Sequence, residues 1–158
     1  MSTRFNEQRS IVDIIADLQR RISILELSAK KINTAIFMNP VASNITQTAN
    51  STSWTDLFEF KGPILNTYLD LDIFASIPGS STTEYEVRVI SRTDITDTQL
   101  GDSITILHSG TTYEPYNLKR NVGSIPPGTE ANIILQARRT ASTSALNVYI
   151  ERAVFTTS

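Results

Sequence analysis

The pattern of apolar and polar positions divides the chain into two unlike parts. From residue 5 to residue 37, apolar residues recur at alternating steps of four and three, which is typical of a helical heptad seam. From residue 54 onward, apolar and polar residues alternate in short runs, which is typical of half-buried β-strands. The pattern therefore predicts a helical segment over residues 1–38, a polar linker over 39–53 and a β domain over 54–158.

The helical segment is predicted to associate with copies of itself. Its seam consists of Ile11, Ile15, Leu18, Ile22, Leu25, Ala29, Ile32 and Ile36. Arg21 and Glu26 lie at positions g and e of this repeat, where they would face each other across parallel chains. Isoleucine at both core positions favours a trimer, with a dimer as the next alternative. A surface helix packed on the core of its own domain is the competing interpretation.

The β segment is predicted to form one antiparallel domain. The strand runs cover residues 54–61, 66–77, 84–90, 103–107, 112–118, 131–138, 145–151 and 153–157. Turns rich in glycine and proline separate them, for example at 78–80 and 126–129. The predicted fold is mainly β: an N-terminal α-helical, trimeric coiled coil followed by an antiparallel β-sandwich of jelly-roll type.

Composition excludes several classes of function. The formal net charge is −2, so the chain lacks the basic stripe that nucleic-acid binding requires. The absence of cysteine excludes disulfides, thiol nucleophiles and thiolate metal sites. No run approaches the roughly 20 apolar residues of a membrane span, and the N-terminus lacks a signal-peptide pattern. We therefore expect synthesis in the cytosol without a membrane span.

The candidates for catalysis are weak. The single histidine, His108, stands beside Ser109, but no nucleophile-elbow pattern accompanies the pair. Asp70 and Asp72 share one strand face, as an acid and base would, yet their apolar neighbours predict the solvated face of a half-buried strand. We predict no catalytic residue and no enzymatic activity.

Ligand-binding residues are equally sparse. Asp94, Asp97 and Asp102 fall in a loop, but their spacing matches no calcium-loop pattern, so turn chemistry explains them and no metal site is predicted. The glycines form no phosphate-binding motif, and no cofactor is expected. Tyr113 and Tyr116 are the candidate ligand surface, on which a sugar could stack, and core packing is the alternative role for both.

Two sequence stretches carry a resemblance to known proteins. The hexapeptide 21–26, Arg-Ile-Ser-Ile-Leu-Glu, resembles a motif of short parallel three-stranded coiled coils. Residues 133–140 and 146–153 resemble the last two strands of sandwich domains in phage minor tail and head-fibre proteins, where a strand ending in Gln-x-Arg precedes a small-residue turn and a valine-rich strand. The order of a helical rod, a hinge and a sandwich is similar to that of the trimeric fibre and spike proteins of tailed bacteriophages.

This resemblance implies a virion structural protein, a homotrimeric short fibre or decoration assembled in the host cytoplasm. Its N-terminal segment would attach to other virion proteins of the capsid or tail, and its sandwich would face outward toward the host surface or a glycan. The chain is shorter than such fibres and has no recognisable attachment domain, so the resemblance leaves head or tail location open. Two alternatives remain: a carbohydrate-active enzyme domain, and a lectin-like domain of a cellular oligomeric protein.

Overall fold

The computed structural model describes residues 11–29, 34–42, 44–79, 84–94, 96–107, 110–141 and 144–157. The chain divides into two units, Met1–Ile32 and Asn33–Ser158. The first contains α1 (Ile11–Ala29). In the described part of the second, the strands are β1 (Thr34–Ala35), β2 (Asn39–Pro40), β3 (Gln47–Ala49), β4 (Thr55–Pro63), β5 (Tyr68–Ile77), β6 (Glu84–Arg92), β7 (Asp97–Gln99), β8 (Ile104–Leu107), β9 (Gly110–Asn121), β10 (Glu130–Ala141) and β11 (Leu146–Thr156).

Helix α1 presents apolar side chains to solvent in the single chain. Ile15, Leu18 and Ile22 from the predicted seam are each about half exposed, and Arg21 is exposed. Helices in proteins gain most of their stability from packing of an apolar face, and this stripe is the apolar face of α1. Other predicted seam and flanking positions lie on α1 with side chains outside the described part: Ile11, Leu25, Glu26 and Ala29. Ile32 lies outside the described residues.

No helix in the described part of the chain is long and apolar enough to cross a bilayer.

The predicted helix extends too far at its C-terminal end. The prediction for Ile36 as a seam residue is wrong, because residues 34 and 35 form β1 instead, paired with Val154 and Phe155 of β11. The Ile36 amide donates to the Ala153 carbonyl at 2.9 Å, and its side chain packs against the sandwich core. The edge of β11 offers unpaired backbone groups, and pairing with them outweighs one more helical turn.

The predicted polar linker also differs from the structure, because part of it belongs to the sandwich. β2 pairs with β4 and β3 pairs with β11. Gln47 is buried and ties down the preceding loop: its Oε1 accepts from the Ala42 amide at 3.0 Å, and its Nε2 donates to the carbonyls of Ala42 and Asn44. A buried amide that satisfies backbone groups is a fixed structural element rather than a hinge.

Two antiparallel sheets form the sandwich, which confirms the prediction of a mainly β domain. In the five-stranded sheet, β5 lies between β9 and β11, and β1 and β3 pair with the other edge of β11. In the six-stranded sheet, β10 lies between β4 and β6, with β2 outside β4 and with β7 and β8 both outside β6. The connections cross between the sheets, as in a jelly roll, so strands distant in sequence become neighbours.

The core lies between the inner faces of the two sheets. Leu69, Leu71 and Ile73 of β5 alternate inward and are fully buried. Phe60 of β4 meets Phe155 of β11 edge-on, with ring centroids 5.6 Å apart. This alternation along β5 leaves Tyr68, Asp70, Asp72 and Phe74 on the opposite, outer face of the five-stranded sheet.

Candidate functional site

Three aromatic side chains come together on the outer face of the five-stranded sheet. Phe74 lies between the buried residues Ile73 and Ala75 and therefore points outward. Tyr149 of β11 is directly opposite Phe74, and their rings stack with centroids 5.2 Å apart and an interplanar angle of 4°. Tyr113 of β9 contacts Tyr149 from the other side of β5, at 5.2 Å and 58°. We call Phe74, Tyr113 and Tyr149 the aromatic cluster.

The aromatic cluster is open to solvent and continues into a polar depression. All three rings are partly exposed. Beside Tyr113 lies an open depression of about 670 Å³, lined also by Asn44, Ile45, Thr46, Thr48 and Asn147. The Thr48 hydroxyl donates to the Asn147 side-chain oxygen at 3.0 Å, so these groups are held in place. Ring faces next to amides and hydroxyls offer both an apolar platform and hydrogen-bonding partners.

Tyr116 does not belong to this surface, and its position fits the alternative role of core packing. It pairs with the buried Ile73 of β5, and its side chain packs against the core. Burial raises the pKa of its hydroxyl, and the charge of Glu114 raises it further. Residues three apart on a strand lie on opposite faces, so Tyr113 alone of the predicted pair points outward.

A group of four polar residues adjoins the aromatic cluster on the same face. Asn117 of β9 donates to Asp70 and Asp72, at 2.7 Å to each Oδ1. From the other side, Arg152 of β11 donates to the remaining oxygens, with Nε 2.6 Å from Asp72 and Nη2 3.3 Å from Asp70. Each flanking residue thus bridges both carboxylates. We call Asp70, Asp72, Asn117 and Arg152 the polar cluster.

The electrostatics of the polar cluster oppose acid–base catalysis. The hydrogen bonds from Asn117 and Arg152 lower the pKa of Asp72. A general acid at neutral pH needs the opposite, a carboxyl group whose pKa is raised. Asp72 is therefore a fixed carboxylate that accepts hydrogen bonds, and Arg152 remains half exposed as a donor on this surface.

The two clusters form one continuous strip. Asp72 is two residues from Phe74 on the same face of β5, and Tyr68 completes the row. The six residue steps from Tyr68 to Phe74 extend about 20 Å. At the far end the Lys119 ammonium lies 5.2 Å from the centroid of the Tyr68 ring. A strip of this length, with rings at both ends and fixed polar groups in the middle, suits a short chain molecule better than a small compact ligand.

The outer face of the six-stranded sheet also carries an aromatic residue, Trp54, but its ring is covered. The Arg88 and Arg138 guanidinium carbons lie 3.9 Å and 4.6 Å from its centroid. Arg138 in turn forms an ion pair with Glu86 at 2.7 Å. Because cation–π contacts already occupy this ring, a ligand would have to displace them.

A second network of polar side chains lies on the same face. Arg92 binds both Asp56 and Asp97, with its Nε 2.7 Å from Asp97 Oδ1. Gln136 donates to Asp56 at 2.6 Å and accepts from Arg88 at 2.9 Å. Burial opposes the ionisation of Asp56, but the hydrogen bonds from Arg92 and Gln136 outweigh it and lower its pKa. These groups satisfy one another, so this network is structural.

Metal binding and nucleophilic catalysis gain no support from the described residues. Among them, no group of three or more acidic or histidine side chains is arranged to hold a metal ion. Asp97, one of the three loop aspartates, pairs with Arg92. His108 and Ser109 lie outside the described residues.

Comparisons with known proteins show the fold and no closer relationship. No family model matches the sequence, and no curated protein matches it. A carbohydrate-binding module of the CBM28 class, specific for non-crystalline cellulose, superposes with a TM-score of 0.50 at 14% identity, covering 81% of this chain and 74% of that one. At this identity the match shows a shared sandwich fold alone.

Two further solved structures are more distant. The CBM22 and GH10 modules of a Clostridium thermocellum endo-1,4-β-D-xylanase match with a TM-score of 0.45 at 13% identity, covering 80% of this chain and 24% of that one. The enzymatically active domain of tailspike protein 4 of bacteriophage CBA120 matches with a TM-score of 0.38 at 14% identity, covering 78% of this chain and 18% of that one.

Proposed function

We propose that this chain is a non-enzymatic attachment protein whose sandwich binds a glycan through the outer face of the five-stranded sheet. The observation that carries the proposal is the strip formed by the aromatic and polar clusters. A sugar ring has an apolar face that stacks on aromatic rings and hydroxyls that need fixed donors and acceptors. Phe74, Tyr113 and Tyr149 supply the first, and Asp70, Asp72, Asn117 and Arg152 supply the second.

The carbohydrate class is favoured over other extended ligands by the balance of charge. The strip carries the carboxylates of Asp70 and Asp72 against the cations of Arg152 and Lys119. This balance gives no net attraction for a polyanion such as nucleic acid. The fold is also one that a cellulose-specific module uses. The depressed pKa of Asp72 supports binding rather than hydrolysis.

Self-association is the second part of the proposal. Helix α1 exposes Ile15, Leu18 and Ile22 in the single chain, and a homotrimeric coiled coil would cover them, with a dimer as the next possibility. A single open surface of this kind binds its glycan weakly. Three copies on one particle would raise the effective concentration and strengthen attachment by roughly a hundredfold or more.

The biological setting that fits both parts is the virion of a tailed bacteriophage. In that setting the chain is a short fibre or decoration, anchored to capsid or tail proteins by its N-terminal segment and assembled in the host cytoplasm. The order of an N-terminal helix followed by a sandwich and the sequence of β10 and β11 support this proposal. A lectin-like protein of a cell is the alternative, and the sandwich shared with a carbohydrate-binding module favours it equally.

Glycan binding can be tested with the full-length chain on a polysaccharide and bacterial-glycan array, followed by titration calorimetry on any ligand found. Tyr149→Ala removes the central ring of the aromatic cluster and should weaken binding by about fivefold or more, since stacked aromatic contacts contribute about 1 kcal/mol or more. Trp54→Ala, an aromatic change on the other sheet, is the matched control and should leave affinity unchanged. Equal losses for both variants, or no glycan bound by the wild-type chain, would refute the assignment of this face.

The virion and cellular settings are separated by locating the chain. Antibodies against it should label purified phage particles, and extraction of the particles should release it together with capsid or tail proteins. Finding the protein on uninfected cells, with none on particles, would favour the lectin-like alternative.

A further inference from the structure

One edge of the Arg120 guanidinium, near the end of β9, carries donors without acceptors. Its Nε and Nη2 atoms are buried and have no hydrogen-bond partner among the described residues. The third nitrogen, Nη1, donates to the Lys119 carbonyl at 2.9 Å. Arg120 lies opposite the fully buried Leu69 of β5 and therefore points to the inner side of the five-stranded sheet. A buried charged donor is costly to leave unpaired, so this edge suits an acceptor that the described residues do not supply.

The geometry of this edge specifies the chemistry of its acceptor. The Nε–H and Nη2–H bonds of a guanidinium leave the same side in parallel, as a fork that matches two oxygens of one carboxylate or phosphate. Burial lowers the pKa of Arg120, and the negative charge of Asp102 only partly opposes this. Asp102 also disfavours a second negative charge on the ligand, because like charges repel. A carboxylate, with one charge, therefore fits better than a phosphate dianion.

The guanidinium adjoins the far end of the strip. Gly101, just after β7, has a φ of 72°, and a Cβ atom there would lie 3.0 Å from Arg120 Cδ, so its backbone lies against this side chain. Gly101 also lines an open depression of about 450 Å³ together with Thr67 and Asn121. Thr67 precedes Tyr68, and Asn121 pairs with Tyr68, the last residue of the strip. A glycan on the strip would thus continue into this depression, next to Arg120.

We propose that Arg120 binds a carboxylate of the glycan ligand through its Nε and Nη2 atoms. The inference rests on the proposed function and narrows its ligand to a glycan that contains an acidic sugar, such as a uronic acid. Both atoms are buried in the single chain, so the ligand must displace what covers them. Gly101, Asp102 and Ser103 are exposed and lie outside the strands, so this short loop can move without opening the core. The new hydrogen bonds to a charged donor compensate for the movement.

A nuclear magnetic resonance titration of the full-length chain tests the site directly. Sodium glucuronate should shift the signals of the Arg120 Nε–H and the Gly101 amide until they saturate, whereas glucose, which lacks the carboxylate, should leave both unchanged. Arg120→Lys keeps the charge but removes the fork, and should weaken glucuronate binding at least about tenfold. Arg139→Lys is the matched control on β10, where the arginine Nη1 donates to Asn50 at 3.1 Å, and should bind glucuronate like the wild-type chain.

The outcomes separate this inference from the function on which it rests. Glucuronate binding that is unchanged in Arg120→Lys, or inorganic phosphate or acetate binding as tightly as glucuronate, would overturn the assignment to an acidic sugar. Neutral glycans that lose affinity in Tyr149→Ala and gain none from a carboxylate would overturn it too, while the proposed function stands. Glucuronate binding through Arg120, with no glycan affected by Tyr149→Ala, would support the Arg120 site and refute the aromatic cluster.

Discussion

A charge placed in the exposed stripe of α1 gives the most direct test of the proposed self-association. Ile22 occupies a core position of the predicted seam and is 53% exposed in the single chain, beside Leu18 at 50%. The substitution Ile22→Asp keeps the position on the helix but removes its apolar surface. We expect it to dissociate the proposed oligomer and to leave the sandwich folded, since the sandwich forms its own unit from Asn33 onward.

The size of the effect follows from burial and charge. Complete burial of an isoleucine contributes about 1.5–3 kcal/mol, so covering the exposed half of Ile22 contributes about 1 kcal/mol in each chain. An aspartate there loses this term, and each carboxylate withdrawn from water costs several kcal/mol more. Three carboxylates in one layer of a trimer also repel one another. The total corresponds to a rise of more than about a hundredfold in the dissociation midpoint.

Sedimentation velocity across a concentration series measures this shift. Ser23→Asp is the matched control, because it introduces the same charged residue one position away, outside the seam. The control should sediment like the wild-type chain. Circular dichroism should show an unchanged β signal in both variants and a loss of helix in Ile22→Asp, because a short isolated helix is marginal in water. Identical sedimentation of the two variants would refute the seam.

The sandwich supports two further predictions. Hydrogen bonds from Arg92 and Gln136 overcome the effect of burial on Asp56 and lower its pKa in the folded state. The stability that this shift provides is therefore complete above the pKa of an unfolded aspartate, about 3.9, and is lost as the pH falls through the pKa of the folded state. Asp56→Asn should lower the free energy of unfolding by about 1–2 kcal/mol at pH 7 and make it depend less on pH in acid. Urea titrations in which the variant loses the same free energy of unfolding at pH 3 as at pH 7 would contradict this. Tyr85→Phe removes the 2.6 Å bond from the tyrosine hydroxyl to the Ser144 carbonyl and should cost about 1 kcal/mol in the same assay at pH 7, whereas an unchanged midpoint would show that water replaces the bond.

The long strands could be predicted because their inner faces alternate cleanly. β5 shows this best: the inward Leu69, Leu71 and Ile73 are separated by outward polar residues. The two predicted C-terminal strands are in fact the single strand β11, since the register shifts between Ile150 and Arg152. An extra residue there breaks the alternation without ending the strand, and a pattern of period two cannot distinguish these cases.

The short edge strands could not be predicted because tertiary pairing alone creates them. β1 and β2 have two residues each, too few for a periodic signal. In the same way, the apolar residue at 36 continues the heptad spacing, but pairing with the edge of β11 fixes the backbone at Ile36. The local sequence pattern determines the secondary structure of a segment when no distant strand competes for its backbone groups. The edge of a sheet is such a distant partner, and it cannot be read from the local pattern.

The candidate site shows the same division between local and distant information. Outward alternation on β5 could place Asp70, Asp72 and Phe74 on one face, because that inference needs only the strand itself. They become a site only because Asn117 of β9 and Arg152 of β11 bind them, and these two residues lie 45 and 80 residues from Asp72 in sequence. These contacts convert two adjacent aspartates from a candidate acid–base pair into fixed hydrogen-bond acceptors, since two donors hold each carboxylate and lower the pKa of Asp72. The chemistry of this face is therefore set by the register of β5 against β9 and β11, which makes both carboxylates hydrogen-bond acceptors.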